Sequence, residues 1–95
     1  MIENLNKAFE NRIRLGLMSL LMVNDEMDFN SVKELLQVTD GNLASHTNSL
    51  EKLEYITVIK EFVGKKPRTS YKATKAGKEA FTKHIDALEQ LLNNR

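Results

Sequence analysis

The sequence predicts an α+β fold, mostly α, with a short antiparallel sheet of two to three strands and a long C-terminal helix. Apolar residues keep the three-and-four spacing of one helix face over 5–23 and again over 75–93, which calls for a long helix at each end. Between them lie two segments that open with capping residues and are parted by about three residues. One run of β-branched and aromatic residues then folds about a turn rich in Gly, Lys and Pro. The 95 residues carry 14 Lys plus Arg against 13 Asp plus Glu, with no Cys or Trp and 41% hydrophobic residues. That reads as one domain, 1–95, without disulfides, membrane spans or a disordered bias. A chain this short buries only roughly 60 to 70% of the surface its unfolded form exposes, so the core is thin and a partner subunit would help.

In the first helix, 5–23, Leu5, Phe9, Ile13, Leu17, Leu20 and Leu21 share a face. Leu15, Met18 and Met22 add a second apolar face, so one side can pack on its own domain and the other on a neighbour. Asn24, Asp25 and Glu26 form a loop, and Met27 to Asn30 leaves room for a small edge strand only. Ser31 followed by Glu34 is a capping-box pattern, opening a second helix, 31–37, that turns Val32, Leu35 and Leu36 to the core. Thr39 or Asp40 caps a third helix, 40–54, and the pair makes a helix-turn-helix candidate. Tyr55 to Val63, the turn chemistry of Gly64 to Thr69, and Ser70 to Ala73 make a hairpin over 55–73 with a basic tip. Thr74 caps the last helix, 75–93, and Gly77 near its start serves close packing against the first helix or the hairpin.

The net charge of +1 hides an uneven layout: residues 57–78 hold Lys60, Lys65, Lys66, Arg68, Lys72, Lys75 and Lys78 against Glu61 alone. Such a segment is an electrostatic footprint for a polyanion, or else a solvated face. The third helix divides into an apolar side, with Leu43, Thr47, Leu50 and Leu53, and a small polar side, with Asn42, Ser45, His46, Ser49 and Lys52. Short hydrogen-bonding side chains on a helix suit the major groove of DNA, and Gly41 would let the helix N-terminus approach a phosphate. Lys65, Lys66 and Arg68 at a hairpin tip would touch the sugar-phosphate backbone, with Arg68 able to enter the minor groove.

Taken in succession, these residues resemble the small winged helix-turn-helix transcription regulators of bacteria and archaea, related to MarR-like and ArsR-like repressors. The resemblance spans nearly the whole chain. It rests on Arg12 to Leu15, on Asp40 to Leu43 with His46, Leu50 and Glu51, and on the hairpin run Phe62 to Thr69 with Tyr71, Thr74 and Gly77. It implies a homodimer, paired through the first and last helices, that places each third helix in a major groove and each wing beside it. Carried over by position, the DNA contacts are Asp40, Gly41, Asn42, Ser45, His46 and Ser49, then Lys65, Lys66, Arg68 and Thr69; Lys52 joins them from the polar side of the helix. One departure stands out: the family usually has Gly before the Tyr that opens the first wing strand, and this chain has Glu54, which puts a left-handed helix end in question.

Several residues carry competing readings. His84 with Asp86 brings to mind a shared metal site, yet the ligand set is incomplete without Cys, so no metal and no cofactor are expected, and His84 is placed at the subunit contact. Met18, Met22 and Met27 suit core filling better than a drug pocket, so a small-molecule effector is compatible with the chain but not indicated. No nucleophile set or phosphate-cradling Gly loop supports an enzyme. The N-terminal residues lack a secretory pattern, which points to the cytoplasm, with no membrane partner. The expectation is therefore a sequence-specific regulator of double-stranded DNA, repressor rather than activator for want of an activation segment. The alternative is a winged-helix module for protein–protein interaction, which the small side chains of the third helix disfavour.

Overall fold

The computed structural model describes residues 2–93. Two 3₁₀ turns, Ile2–Asn4 and Lys7–Phe9, precede α1 (Arg12–Val23); then come β1 (Met27–Asp28), α2 (Phe29–Leu36), α3 (Asp40–Lys52), β2 (Ile56–Val63), β3 (Lys66–Ala73) and α4 (Lys75–Asn93). The long first helix expected from residue 5 is thus broken before Arg12. Two asparagines break it: Asn6 Oδ1 accepts the amide of Ala8 at 2.9 Å, and Asn11 Oδ1 accepts those of Ile13 and Arg14 at 2.9 and 3.1 Å. Side chains that satisfy nearby amides this way compete with helix continuation. Phe9 keeps the helical spacing but reaches the core from a turn, whereas Leu5 is half-buried in a surface groove.

α2 starts two residues earlier than expected. Asp28, not Ser31, is its cap: Asp28 Oδ2 accepts the amide of Ser31 at 3.1 Å, and the Ser31 hydroxyl donates to Oδ1 at 2.7 Å. The Ser31 hydrogen bond holds the Asp28 carboxyl below its ordinary range. Of the three apolar residues assigned to the core, Val32 is fully buried and Leu36 packs against the core, whereas Leu35, at the outer edge of the same helix face, is 62% exposed.

α3 ends at Lys52 rather than at 54, and Leu53, expected on the core side, is half-exposed beyond it. Glu54 nevertheless adopts the left-handed conformation, with φ of 62°. The Glu54 amide donates to the carbonyl of Glu51 at 2.9 Å and the Tyr55 amide to that of Leu50 at 3.0 Å, the paired bonds of a Schellman end. The junction is therefore not reshaped; a residue with a Cβ occupies it under strain.

The sheet runs β1-β3-β2, antiparallel throughout, with Val63 opposite Lys66. Gly64 and Lys65 alone make the turn, and Gly64 takes a φ of +66°, as a two-residue hairpin of this kind needs at its first position. The second wing strand is consequently longer than the sequence suggested: β3 begins at Lys66, not Ser70. Pro67 is admissible there because it faces Phe62 one step from the turn, while β1 pairs only with Ser70 and Tyr71.

Phe9 centres the core. Its ring stacks on Tyr55 at 5.6 Å and meets Phe81 edge-on at 5.1 Å and His84 at 5.5 Å. His84 is 3% exposed, its Nδ1 accepts the Asn6 amide at 2.9 Å, and it lines a surface groove with Leu5 and Leu88. Met18 is fully buried core. Gly77 packs against the chain entering β2: a Cβ on it would collide with the Tyr55 carbonyl oxygen.

Candidate nucleic-acid interface

α3 is held rigidly by what it buries. Leu43 and Leu50 are fully buried and Thr47 is 4% exposed, three contacts on one face that fix the rotation of the opposite face. Its N-terminus is capped by Thr39, whose Oγ1 accepts the Asn42 amide at 3.2 Å. The outward face presents Gly41, Asn42 and Ser45 to solvent, and Ser49 half-exposed with its hydroxyl donating to the Ser45 carbonyl at 3.2 Å. The space beside Gly41 is open for 4 Å around where a Cβ would stand, so nothing inside the chain requires glycine there. Lys52 is exposed in the last turn.

Two members of the predicted set already have partners. Asp40 Oδ1 lies 2.6 Å from Lys33 Nζ across the turn between α2 and α3, which offsets the charge its carboxylate would bring to a phosphate. His46 is half-buried, not fully exposed as its helical position suggested. Arg14 Nη1 stands 2.9 Å from His46 Nδ1, and the Arg14 Nε donates to the Ala8 carbonyl at 2.6 Å. Burial, and then the adjacent guanidinium, lower the His46 pKa below its ordinary value. A guanidinium can only donate, so Nδ1 is the acceptor and the ring proton sits on Nε2. Thus His46 serves as a strut between α1 and α3.

The wing carries Lys65 in its turn and Lys66 beside it, both exposed. Arg68, expected at the tip, lies two residues further down β3, with Nη2 4.0 Å from Asp28 Oδ1. Thr69 is half-buried on the other side of the strand. Alternation along the hairpin puts Val58, Lys60 and Phe62 of β2 on one side with Pro67, Thr69 and Tyr71 of β3. That side faces α3 across a cleft of about 450 Å³ whose walls include Ala44, Asn48 and Glu51 from the helix and Lys60 and Thr69 from the wing. Tyr71 closes the cleft floor; burial raises its pKa, opposed by a hydrogen bond with Thr47.

Lys60 is the residue that sequence reasoning misses. The basic segment includes it without giving it a side, although period-two alternation from Val58 is a signal that would place it. The cleft joins Ala44, Thr47, Asn48 and Glu51 of α3 to Lys60 and Thr69 of the wing. Of the predicted contacts only Thr69 lines it, with Asn42, Ser45, His46 and Ser49 elsewhere on the helix, and Lys66 and Arg68 project from the far side of the hairpin.

Residues 13–92 match the family described as winged helix DNA-binding domain. An uncharacterized protein of Methanocaldococcus jannaschii is 33% identical over 88 residues, covering 93% of this chain and 96% of that protein. Among solved structures, a transcriptional regulator homologue from Pyrococcus horikoshii OT3 superposes with a TM-score of 0.84 at 28% identity, over 90% of this chain and 85% of that one. A MarR-family protein from Porphyromonas gingivalis W83 shares the fold at a TM-score of 0.69 and 14% identity, over 94% and 86% of the respective chains. With its helix-turn-helix, hairpin and long closing helix matched to this extent, the chain belongs to the winged helix DNA-binding domain family.

Proposed function

We propose that the protein is a sequence-specific regulator of transcription that binds double-stranded DNA as a homodimer and represses by occupancy. In this reading α3 of each protomer enters a major groove, where Asn42, Ser45 and Ser49 meet base edges and the open backbone at Gly41 meets a phosphate. Lys65 and Lys66 neutralise backbone phosphates, and Arg68 and Thr69 flank them. What supports the reading is that buried Leu43, Thr47 and Leu50 fix α3 with Asn42 and Ser45 open to solvent, beside a hairpin whose Lys60 and Thr69 share a cleft with Ala44, Asn48 and Glu51 of the helix. In this reading a second copy covers the groove lined by Leu5, Phe9, Leu15, His84 and Leu88 with Glu10, Asn11 and Arg12, and Ile2 in the first turn and Leu92 in α4 are 72% and 70% exposed.

Selection of bound sites from a random duplex pool tests this. Two half-sites about one helical turn apart, roughly 34 Å, should be recovered, reflecting a two-fold dimer. If the dimer neutralises about 6 to 8 phosphates, log affinity should fall against log salt with a slope near −5 to −7. No enrichment and no salt dependence would sink the proposal.

A further inference from the structure

The chain has four phenylalanines; Phe9, Phe29 and Phe81 pack in or against the core, whereas Phe62 is 75% exposed near the end of the wing. It stands directly opposite Pro67, one step inside the turn. In a two-residue hairpin the pair next to the turn exchanges hydrogen bonds, so the Phe62–Pro67 pair is of the closer, non-bonded kind, with Cα atoms about 4.5 Å apart. Ring and pyrrolidine thus form one apolar ridge on the α3-facing side. Lys60 shares that side and Lys65 stands in the adjoining turn, whereas Lys66, Arg68 and Glu61 lie on the other side of the hairpin. An isolated exposed apolar residue is common on a protein surface. A ridge of two, flanked by Lys60 and Lys65 on the side of the hairpin that carries Thr69 and Tyr71, has a directed position.

We propose that Phe62, backed by Pro67, is an apolar wedge that enters the minor groove beside the site read by α3 and partly unstacks one base step there. The inference rests on the DNA-binding reading above and adds a specificity-determining residue to it. Charge selects a polyanion for this ridge, and shape selects the groove. A two-stranded ribbon is too wide for a minor groove about 6 Å across, but a single ring projecting from its edge can enter one. From Val58, which lines the cleft beside α3, to Phe62 is four residues of strand, about 13 Å, which sets the ridge outside the α3 site and toward the neighbouring groove. Aromatic wedges unstack pyrimidine–purine steps most cheaply, so a TA or CA preference should appear outside the α3 half-site.

The test uses the full chain and duplexes recovered from a random pool, with 2-aminopurine placed at steps flanking each half-site. Wild type should brighten the probe at one flanking step. Phe62→Ala should abolish that signal, lose the flanking-step preference in a repeat selection and weaken binding by about tenfold, with the salt slope unchanged because no charge is removed. Phe62→Leu should retain part of the affinity, and both variants should melt like wild type because the side chain is exposed. Equal affinity and equal fluorescence for wild type and Phe62→Ala would overturn the wedge while leaving DNA binding intact. So would loss, in Phe62→Ala, of binding to phosphatidylserine vesicles with duplex binding unaltered, which would assign the ridge to a membrane. Wild-type protein that binds no duplex would instead bring down the functional reading and the wedge with it.

Discussion

α3 and the outer wing differ in how firmly they are held. α3 is buried along one face, capped at Thr39, closed at Glu54 and braced to α1 through Arg14 and His46. The hairpin beyond Ile59 has exposed side chains from Lys60 to Arg68, with the 4.0 Å approach of Arg68 to Asp28 as its tie to the body. Base-edge hydrogen bonds tolerate little misplacement, whereas a phosphate can be met by a long, mobile cation from many positions. On the proposed reading, the rigid helix suits base-edge discrimination and the projecting cations of the wing suit affinity, with Phe62 adding a preference only at the flanking step.

The two regions meet where Tyr55 leaves α3 and Thr74 enters α4, and the largest effect is expected there. The Thr74 amide donates to the Tyr55 carbonyl at 3.0 Å, its hydroxyl donates to the Glu54 carbonyl at 2.7 Å, and the Gly77 amide donates to that hydroxyl at 2.9 Å. Gly77→Ala forces a methyl against the Tyr55 carbonyl oxygen. Thermal denaturation should show a loss of about 3 kcal/mol, the upper range for overpacking. Gly41→Ala is the contrast, since open space surrounds that position. It should not lower stability and should weaken DNA binding alone.

Next in size is the separation of affinity from preference. Reversing both charges in Lys65→Glu with Lys66→Glu should weaken binding to every duplex by about a hundredfold and flatten the salt slope by about one for each cation lost. Asn42→Ala should leave that slope unchanged and shift preference at one base position by about 1 to 2 kcal/mol. Should the wing variants change preference and the helix variant change only the slope, the division of labour is reversed.

Which parts of this design are legible in the sequence follows from range. α4 matches its expected bounds, 75–93, because a threonine cap and unbroken helical spacing are local signals. Helix-breaking Asn6 and Asn11 are local too, but the spacing of Leu5, Phe9 and Ile13 masks them, since turns can deliver the same residues to the core. Asp28 and Ser31 are both cap residues within one turn, and only their hydrogen bonds decide between them. The Arg14–His46 strut joins residues 32 apart in sequence and the His84–Asn6 bond residues 78 apart, distances at which spacing carries no information.

The strut makes a pH-dependent prediction. His46 has a lowered pKa in the folded state, so the unfolded chain takes up a proton first as pH falls below the ordinary value of 6.5. Stability should therefore decline from that pH downward and level off below the folded pKa. The chain holds a second histidine, His84, so the readout is the difference between wild type and His46→Gln, whose acid slope should be shallower. Identical slopes would remove His46 from the bracing of α3.

The smallest effect tests the joint itself. Glu54 holds a left-handed conformation that costs a residue with a Cβ about 1 to 2 kcal/mol, while a glycine there would forfeit about 0.5 to 1 kcal/mol of backbone entropy. Glu54→Gly should consequently raise stability by about 0.5 to 1 kcal/mol, a few degrees in melting temperature. Because the Schellman bonds are main-chain bonds, they survive the change, and the angle between α3 and the wing is preserved. A variant more stable yet equal in DNA affinity means that the joint holds geometry and the strain serves nothing else. A variant more stable but weaker on DNA means that the residue's stiffness helps aim the wing, which would make the hairpin less independent of the helix than its exposed tip suggests.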